Sequence, residues 1–176
     1  MKKFEFFLLL GLLCLCPKLS AQHMPTRVFP TPQEIEVTNQ PFISADFRIT
    51  GLKSVDSVAI SFLKEILPIA PNKKAIPIKI SFLKDKQAEL QRSGAYRLKI
   101  TDKSISIEIK DDRSLFYAVQ TIKQLVSKTN DGKIKLYPCM ITDYPDVLYR
   151  GTVEGFYGTP WSFNDRIEQL RFYGKI

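Results

Sequence analysis

Residues 96–109 read YRLKITDKSISIEI, and this stretch decides the fold class. Hydrophobic and polar side chains alternate on both sides of Thr101-Asp102-Lys103-Ser104, which is the pattern of a β-hairpin with one buried face. The spacing then changes to the three-and-four pattern of an amphipathic helix, carried by Leu115, Ala118, Val119, Ile122, Leu125 and Val126. A hairpin followed by a helix that packs on it predicts an α/β fold.

The segments before and after this stretch extend the prediction. Residues 35–37 alternate and predict a strand, and residues 76–83 and 134–140 read as further strands. An earlier helix is predicted with Ser54 as its cap and Pro68 at its end, from the spacing of Val55, Val58, Ala59, Phe62, Leu63, Ile66 and Leu67. The expected architecture is a small α/β layer in which two helices cover one face of a sheet.

The pattern restarts after the turn-rich stretch Asp143-Tyr144-Pro145-Asp146. Residues 147–154 are strand-like, residues 155–161 form a loop rich in glycine and aromatic residues, and Ser162 opens a helix with Asp165 in a capping-box position. This order is one complete strand–loop–helix unit, and it would be the first unit of a (β/α)₈ TIM barrel if residues 147–154 form a barrel strand. We expect an N-terminal α/β domain over residues 22–146 and, on the barrel interpretation, its incomplete start over residues 147–176, in a truncated chain.

The N-terminus has the features of a secretory signal peptide over residues 1–21. A basic start is followed by an apolar run from Phe6 to Cys16 and a small residue, Ala21, at the expected cleavage site. The run is shorter than the roughly 20 apolar residues that cross a bilayer; the alternative is a buried first helix. We expect a secreted or periplasmic protein without a membrane span in its mature form, and cleavage lowers the formal charge from +8 to +6.

Composition and spacing exclude several kinds of chemistry. Hydrophobic residues make up 44% of the chain and charged residues 25%, which is typical of a globular protein. His23 is the single histidine and Cys139 the single cysteine beyond residue 21, so we expect no metal cluster, no cofactor and no catalytic triad. The spacing of Gly151, Gly155 and Gly158 fits no phosphate-binding loop, and the scattered lysines indicate solvated faces, so we expect no nucleic-acid partner.

Two places in the sequence are candidates for catalytic or binding residues. Asp111-Asp112 is a carboxylate pair, but its place between a strand and a helix favours helix capping over catalysis. Gly155 stands at the carboxyl end of the predicted barrel strand, where such barrels keep their active sites, and Tyr157 and Trp161 follow as apolar walls. The alternative is a tight turn with aromatic residues packed into the barrel rim, and the pattern alone supports both equally.

One segment resembles a known family. Tyr149-Arg150-Gly151-Thr152-Val153-Glu154-Gly155-Phe156-Tyr157-Gly158-Thr159-Pro160-Trp161-Ser162 resembles the opening of the catalytic domain of glycoside hydrolase family 84. These are the β-N-acetylglucosaminidases that include O-GlcNAcase and the bacterial enzymes once called hyaluronidases. Upstream, Phe29-Pro30-Thr31-Pro32-Gln33 and Ser114-Leu115-Phe116-Tyr117-Ala118-Val119-Gln120-Thr121 resemble the small α/β domain that precedes the barrel in families 20 and 84.

The resemblance implies a secreted enzyme that removes β-linked N-acetylglucosamine from glycans or glycoproteins. In that family the acetamido group of the sugar attacks the anomeric carbon, one aspartate orients it, and a neighbouring aspartate serves as general acid and base. The Asp-Asp pair is expected beyond Ile176, so no catalytic residue is assigned here and the 176 residues alone are expected to be inactive. Gly155 matches the glycine whose backbone contacts the sugar hydroxyls, and Tyr157 is a candidate for lining the pocket.

Two alternatives stay open at this stage. A family 20 hexosaminidase has the same type of N-terminal domain and similar chemistry with an Asp-Glu pair, although residues 151–162 favour family 84. A stand-alone domain that binds glycans or proteins without catalysis is the other, and the strand–loop–helix unit after residue 146 argues against it.

Overall fold

The computed structural model describes residues 28–51, 55–147, 149–153, 155 and 158–174. The predicted signal peptide, residues 1–21, and the candidate site residue Tyr157 lie outside the described residues. No helix within these ranges is long and apolar enough to cross a bilayer.

Nine strands and three α-helices form within the described residues. The strands are β1 (Glu34–Val37), β2 (Phe42–Ser44), β3 (Phe47–Gly51), β4 (Ile76–Phe82), β5 (Tyr96–Ile100), β6 (Ile105–Ile109), β7 (Ser127–Lys128), β8 (Ile134–Leu136) and β9 (Cys139–Asp143). The helices are α1 (Ser57–Ile66), α2 (Asp112–Leu125) and α3 (Phe163–Tyr173).

The main sheet has six described strands in the order β1-β9-β5-β6-β4-β3. The strand pairs β3–β4 and β4–β6 are parallel, and the other three pairs are antiparallel. The predicted hairpin is confirmed, with Tyr96 opposite Ile109 and Ile100 opposite Ile105. A smaller sheet has the order β2-β8-β7. The result is a mixed α/β domain, as the sequence predicts.

The core lies between one face of the main sheet and the helices. Side chains at every second position of β5 and β6 are at most 1% exposed, and these are Tyr96, Leu98, Ile100, Ile105, Ile107 and Ile109. Helix α2 contacts both strands and also packs against α1. On the opposite face Arg97 forms ion pairs with Asp85 at 2.9 Å and Glu108 at 3.6 Å. One face is therefore hydrophobic and covered, and the other is polar.

Helix α1 begins later than the sequence predicts. It starts at Ser57, and Asp56 is its cap, accepting hydrogen bonds from the backbone N–H groups of Val58 at 2.9 Å and Ala59 at 3.4 Å. Two carboxylate oxygens satisfy two free N–H groups of the first turn, which favours this start. The predicted cap, Ser54, lies outside the described residues.

The strand predicted over residues 134–140 is two strands in different sheets. Strand β8 pairs with β2 and β7, whereas β9 pairs with β1 and β5. Pro138 lies between them and has no N–H to donate to a ladder, so one continuous strand is interrupted at this point.

The strand predicted over residues 147–154 is not observed. Residues 149–153 have no regular secondary structure and are exposed, and the Val153 side chain is fully exposed. A strand is stabilised by hydrogen bonds to neighbouring strands, and no described strand pairs with this stretch. The helix expected after it does form, as α3. The start of a TIM barrel is therefore not shown by the described residues.

Candidate functional site

The loop that carries the family motif lies on the surface. Gly155 is exposed, Trp161 is 49% exposed, and no described residue from 158 to 163 is buried. The structure thus places Gly155 in an open loop and does not bring it to the cavity described below. Nothing can be placed around Tyr157, which is not among the described residues.

Helix α3, which follows this loop, begins with the predicted capping box. The backbone N–H of Asp165 donates to the Ser162 hydroxyl at 3.2 Å, and the backbone N–H of Ser162 donates to the Asp165 carboxylate at 3.0 Å. Hydrogen bonds from the Ser162 hydroxyl and backbone lower the pKa of Asp165. Local sequence therefore defines the end of the loop even though no side chain of α3 is buried.

A cavity of about 460 Å³ lies between α2 and the segment that enters the motif. Five segments contribute to it, and the side chains are mainly aromatic, amide and carboxylate groups: Phe29, Gln33, Tyr96, Phe116, Tyr117, Gln120, Gln124, Asp143, Tyr144, Asp146, Arg150 and Tyr173. No sequence pattern indicates this cavity. Its lining residues are up to 146 positions apart, between Val28 and Gly174, and no local motif connects them.

Asp143, at the end of β9, joins a polar network at the floor of this cavity. The Tyr96 hydroxyl donates to one Asp143 oxygen at 3.3 Å, and the Gln33 backbone N–H donates to the other at 3.3 Å. The Thr121 hydroxyl lies 2.6 Å from the Tyr96 hydroxyl. Burial raises the pKa of Asp143 and, more strongly, that of Tyr96. Both groups are thus favoured in their neutral forms relative to water.

The N-terminal residues 28–33 are bound to the domain by side-chain hydrogen bonds. The Gln124 amide accepts from the Phe29 N–H at 2.8 Å and donates to the Phe29 carbonyl at 2.9 Å. The Gln33 amide donates to the Asp146 carboxylate at 3.0 Å. Asp143 and Asp146 therefore both serve as acceptors that hold residues 28–33 against residues 143–146.

The carboxylate pair Asp111-Asp112 has the capping role that its position predicts. Asp111 accepts from the N–H of Ser114 at 3.0 Å, the N–H of Gly94 at 3.1 Å and the Ser93 hydroxyl at 2.6 Å. Burial alone would raise the pKa of Asp111, but these hydrogen bonds outweigh it and lower the pKa. Asp112 is exposed in the first turn of α2. Asp111 therefore binds backbone and hydroxyl groups of this domain as the helix cap.

Cys139 is buried, and the described residues form no metal-holding cluster. Cys139 is 6% exposed, and burial raises the pKa of its thiol to about 11, so the predicted buried thiol is confirmed. Within the described ranges, no three His, Cys, Asp or Glu side chains converge in a way that would hold a metal ion. The described residues therefore provide a scaffold, a cavity and an exposed motif loop.

Comparisons with known proteins give two family matches, one for each of two parts of the chain. Residues 25–144 match the family described as glycosyl hydrolase family 20, domain 2. Residues 150–176 match the family described as β-N-acetylglucosaminidase. The first match ends at the last residues of the α/β domain, and the second begins in the segment that enters the motif.

Similar proteins include glycoside hydrolases of families 20 and 84. N,N'-diacetylchitobiase of Vibrio harveyi is 28% identical over 138 residues, which are 77% of this chain and 15% of that protein. The solved structure of CpGH84B superposes with a TM-score of 0.69 at 28% identity over 85% of this chain and 28% of its own. The family 20 exo-β-N-acetylglucosaminidase of Vibrio harveyi superposes with a TM-score of 0.57 at 23% identity, over 70% of this chain and 20% of its own, and shows a shared fold.

The chain thus spans less than a third of each of these relatives. The first family match covers most of the chain, including all nine described strands and the helices α1 and α2. On this evidence the chain belongs to the glycosyl hydrolase family 20, domain 2 family.

Proposed function

We propose that this chain is the N-terminal part of a glycoside hydrolase that removes terminal β-linked N-acetylglucosamine from glycans or glycoproteins. The observation that carries the proposal is the order of the two family matches: a family 20-type α/β domain is followed, from residue 150, by a β-N-acetylglucosaminidase match. Residues 28–143 serve as the scaffold in this proposal, and the loop after Arg150 belongs to the catalytic part.

The finer proposal is a family 84 enzyme that works by substrate-assisted retaining catalysis. It is supported by residues 149–162 and by the likeness to CpGH84B, which extends over 85% of this chain at 28% identity. The acetamido group of the substrate would be the nucleophile, and an Asp-Asp pair on segments outside these 176 residues would orient it and transfer the proton. Gly155 would contribute its backbone to sugar hydroxyls, since a residue without a Cβ allows a ligand close approach.

A family 20 β-N-acetylglucosaminidase is an equally supported alternative. The family 20 domain match covers residues 25–144, and the chitobiase relative is 28% identical, the same identity as CpGH84B. In this alternative an Asp-Glu pair takes the place of the Asp-Asp pair. The two proposals share the bond that is cleaved and the use of the substrate's own acetamido group.

The test is hydrolysis of 4-nitrophenyl β-N-acetylglucosaminide by the complete gene product and by the 176-residue chain. We expect turnover by the complete product and none by the 176-residue chain, because the proposed catalytic pair lies beyond Ile176. Binding of N-acetylglucosamine by the complete product without any turnover would instead support a non-catalytic glycan-binding protein.

The catalytic pair and Gly155 separate the finer proposals. An adjacent Asp-Asp pair whose Asn variants each abolish turnover supports family 84, and an Asp-Glu pair supports family 20. Gly155→Ala in the complete product is expected to lower kcat/KM by about 10-fold or more, since a methyl group would lie where the sugar approaches. Gly151→Ala is the matched control, because nothing lies within 4 Å of a Cβ at Gly151. Equal activity of the two variants would remove Gly155 from the site.

The proposed location is outside the cytoplasm, in the periplasm or the medium. It rests on residues 1–21, whose basic start and apolar run are typical of a signal peptide. Sequencing the N-terminus of the mature protein tests it: a start at Gln22 supports export, and a retained Met1 contradicts it.

A further inference from the structure

Both ends of the segment that carries the motif contact neighbouring side chains of α2. Where the segment begins, the Arg150 guanidinium carbon lies 5.2 Å from the centre of the Tyr117 ring. Where the segment ends, Gly174 lies against Phe116, since a Cβ at Gly174 would be 3.5 Å from Phe116 Cζ. Residues 151–172, which we call the motif segment, thus lie between two residues, Arg150 and Gly174, that contact α2.

Phe116 and Tyr117 are themselves fixed by the packing of the α/β domain. The Phe116 ring packs edge-on against Phe62 of α1, with ring centroids 5.8 Å apart. Tyr117 lies so close to Gly94 that a Cβ at Gly94 would be 2.7 Å from its ring. Gly94 has φ +87°, which alanine rarely adopts. Glycine at this position therefore allows the backbone turn and leaves room for the Tyr117 ring. Packing within the α/β domain therefore fixes the two side chains, Phe116 and Tyr117, that contact Arg150 and Gly174.

The residues just before Arg150 are docked on the same surface. The Arg92 guanidinium carbon lies 4.9 Å from the centre of the Tyr144 ring. Pro145 covers Gly94, with its Cγ 3.0 Å from the place a Cβ would take. The Gln33 amide donates to Asp146 at 3.0 Å. Tyr144, Pro145 and Asp146, which come just before Arg150 in the sequence, are thus each held to the α/β domain by a different kind of contact.

We infer that Phe116, Tyr117 and Arg92 are positioning residues, which hold the motif segment at a defined place on the α/β domain. Fixing both ends of a 22-residue segment restricts the positions that its loop visits, and this restriction is what the α/β domain would contribute to the catalytic part. The importance of this for catalysis rests on the proposed function. The contacts and their test are properties of the chain itself.

The test is limited trypsin digestion of the 176-residue chain, followed at the bond after Arg150 by mass spectrometry. The bond lies in an exposed stretch, and trypsin must draw the chain on both sides of it into its active site, so the cleavage rate rises with the population in which the contacts are open. Cation–π contacts at exposed sites have a free energy of about 0.5–1 kcal/mol, so Arg92→Ala and Tyr117→Leu are each expected to speed cleavage about two- to five-fold. Arg92 is exposed, so its variant should keep the urea midpoint unchanged.

Two control variants separate ring contact from general damage. Tyr117→Phe keeps the aromatic face and is expected to be cleaved like the unaltered chain. Arg113→Ala removes an exposed arginine of α2 that is outside the contact surface, and it should also have no effect. Trp161, the single tryptophan, lies within the motif segment and gives a second measurement. Its fluorescence anisotropy should fall in Arg92→Ala and Tyr117→Leu and stay unchanged in both controls.

Unchanged cleavage and unchanged anisotropy in both Arg92→Ala and Tyr117→Leu would overturn the inference. Equal acceleration in Tyr117→Phe and Tyr117→Leu would also overturn it, because the aromatic face would then have no role. Neither measurement uses glycoside hydrolysis. Failure of the proposed function would therefore leave the digestion result intact, and failure of the digestion test would leave the hydrolysis result intact.

Discussion

The described part of residues 28–143 buries 25 hydrophobic side chains, whereas the described part of residues 144–174 buries none. In the first region the alternating strands and the helices share one core, so each element depends on the others. In the second, α3 depends on its capping box and on contacts at its ends. The difference indicates that the α/β domain is stabilised by its own core and that the motif segment takes its position from that domain.

Among the variants that test this difference, one that truncates a core side chain should change the free energy of unfolding most. Ile107 lies in the middle of β6 and is 0% exposed. Ile107→Ala is expected to lower the free energy of unfolding by about 2–5 kcal/mol, through lost burial and a cavity. Leu170→Ala, at a position of α3 that is 64% exposed, should change it by less than about 0.5 kcal/mol. Urea unfolding measures both, and similar losses would contradict the comparison.

Two glycines with similar backbone angles allow the cost of a packing clash to be distinguished from the cost of backbone strain. Gly94 has φ +87° and Gly132 has φ +79°, so alanine is strained at both. A Cβ at Gly94 would meet Tyr117 and Pro145 at 2.7 and 3.0 Å, whereas nothing lies within 4 Å at Gly132. Gly94→Ala is expected to cost about 2 kcal/mol more than Gly132→Ala in urea unfolding. Equal costs would mean that residues 144–146 do not pack closely on the domain.

The pH dependence of stability provides a test with a smaller expected effect. Acidification should change the stability contributions of Asp111 and Asp143 in opposite directions. The pKa of Asp111 is lowered in the folded state, so its contribution is present at neutral pH and is lost as the pH falls through its folded pKa. The pKa of Asp143 is raised by burial, so the folded state binds its proton more tightly and gains stability as the pH falls.

Asp111→Asn should therefore make the loss of stability on acidification shallower, and Asp143→Asn should make it steeper. Urea unfolding of the two variants and the unaltered chain between pH 7 and pH 3 measures both slopes. Slopes that change in the same direction in the two variants would contradict the assigned environments. Each is expected to shift by only a fraction of a kcal/mol per pH unit, because both carboxylates are only partly buried.

The features that sequence predicted best are those with strict local periodicity. Strands β5 and β6 follow an alternation that fits one buried face, and Asp111 stands where a helix cap is needed, so local sequence was enough. Strands β2 and β3, which are separated by two residues, were missed; β2 has only three residues, which leaves little pattern to detect. The break at Pro138 was missed although a proline within a strand pattern is itself a local signal. The sheet that each half joins depends on partner strands, which no local pattern contains.

In the candidate site, too, local sequence identifies neighbouring residues but not contacts between distant ones. The motif of residues 149–162 identified a family relationship from its own residues, but the cavity beside it joins Phe29, Tyr117 and Arg150 from three distant segments. Gly155 was selected by resemblance, and the structure shows it exposed. Its place relative to a ligand and the role of Tyr157 stay predictions.

Hydrogen–deuterium exchange of the 176-residue chain tests the central claim most directly. If the α/β domain is stabilised by its own core, amides of β4, β5 and β6 should exchange only through global unfolding and show the highest protection. Amides of α3 should exchange at least about 100-fold faster, since that helix buries no side chain. Equal protection of α3 and the central strands would contradict the account, because the two regions would then form one cooperative unit.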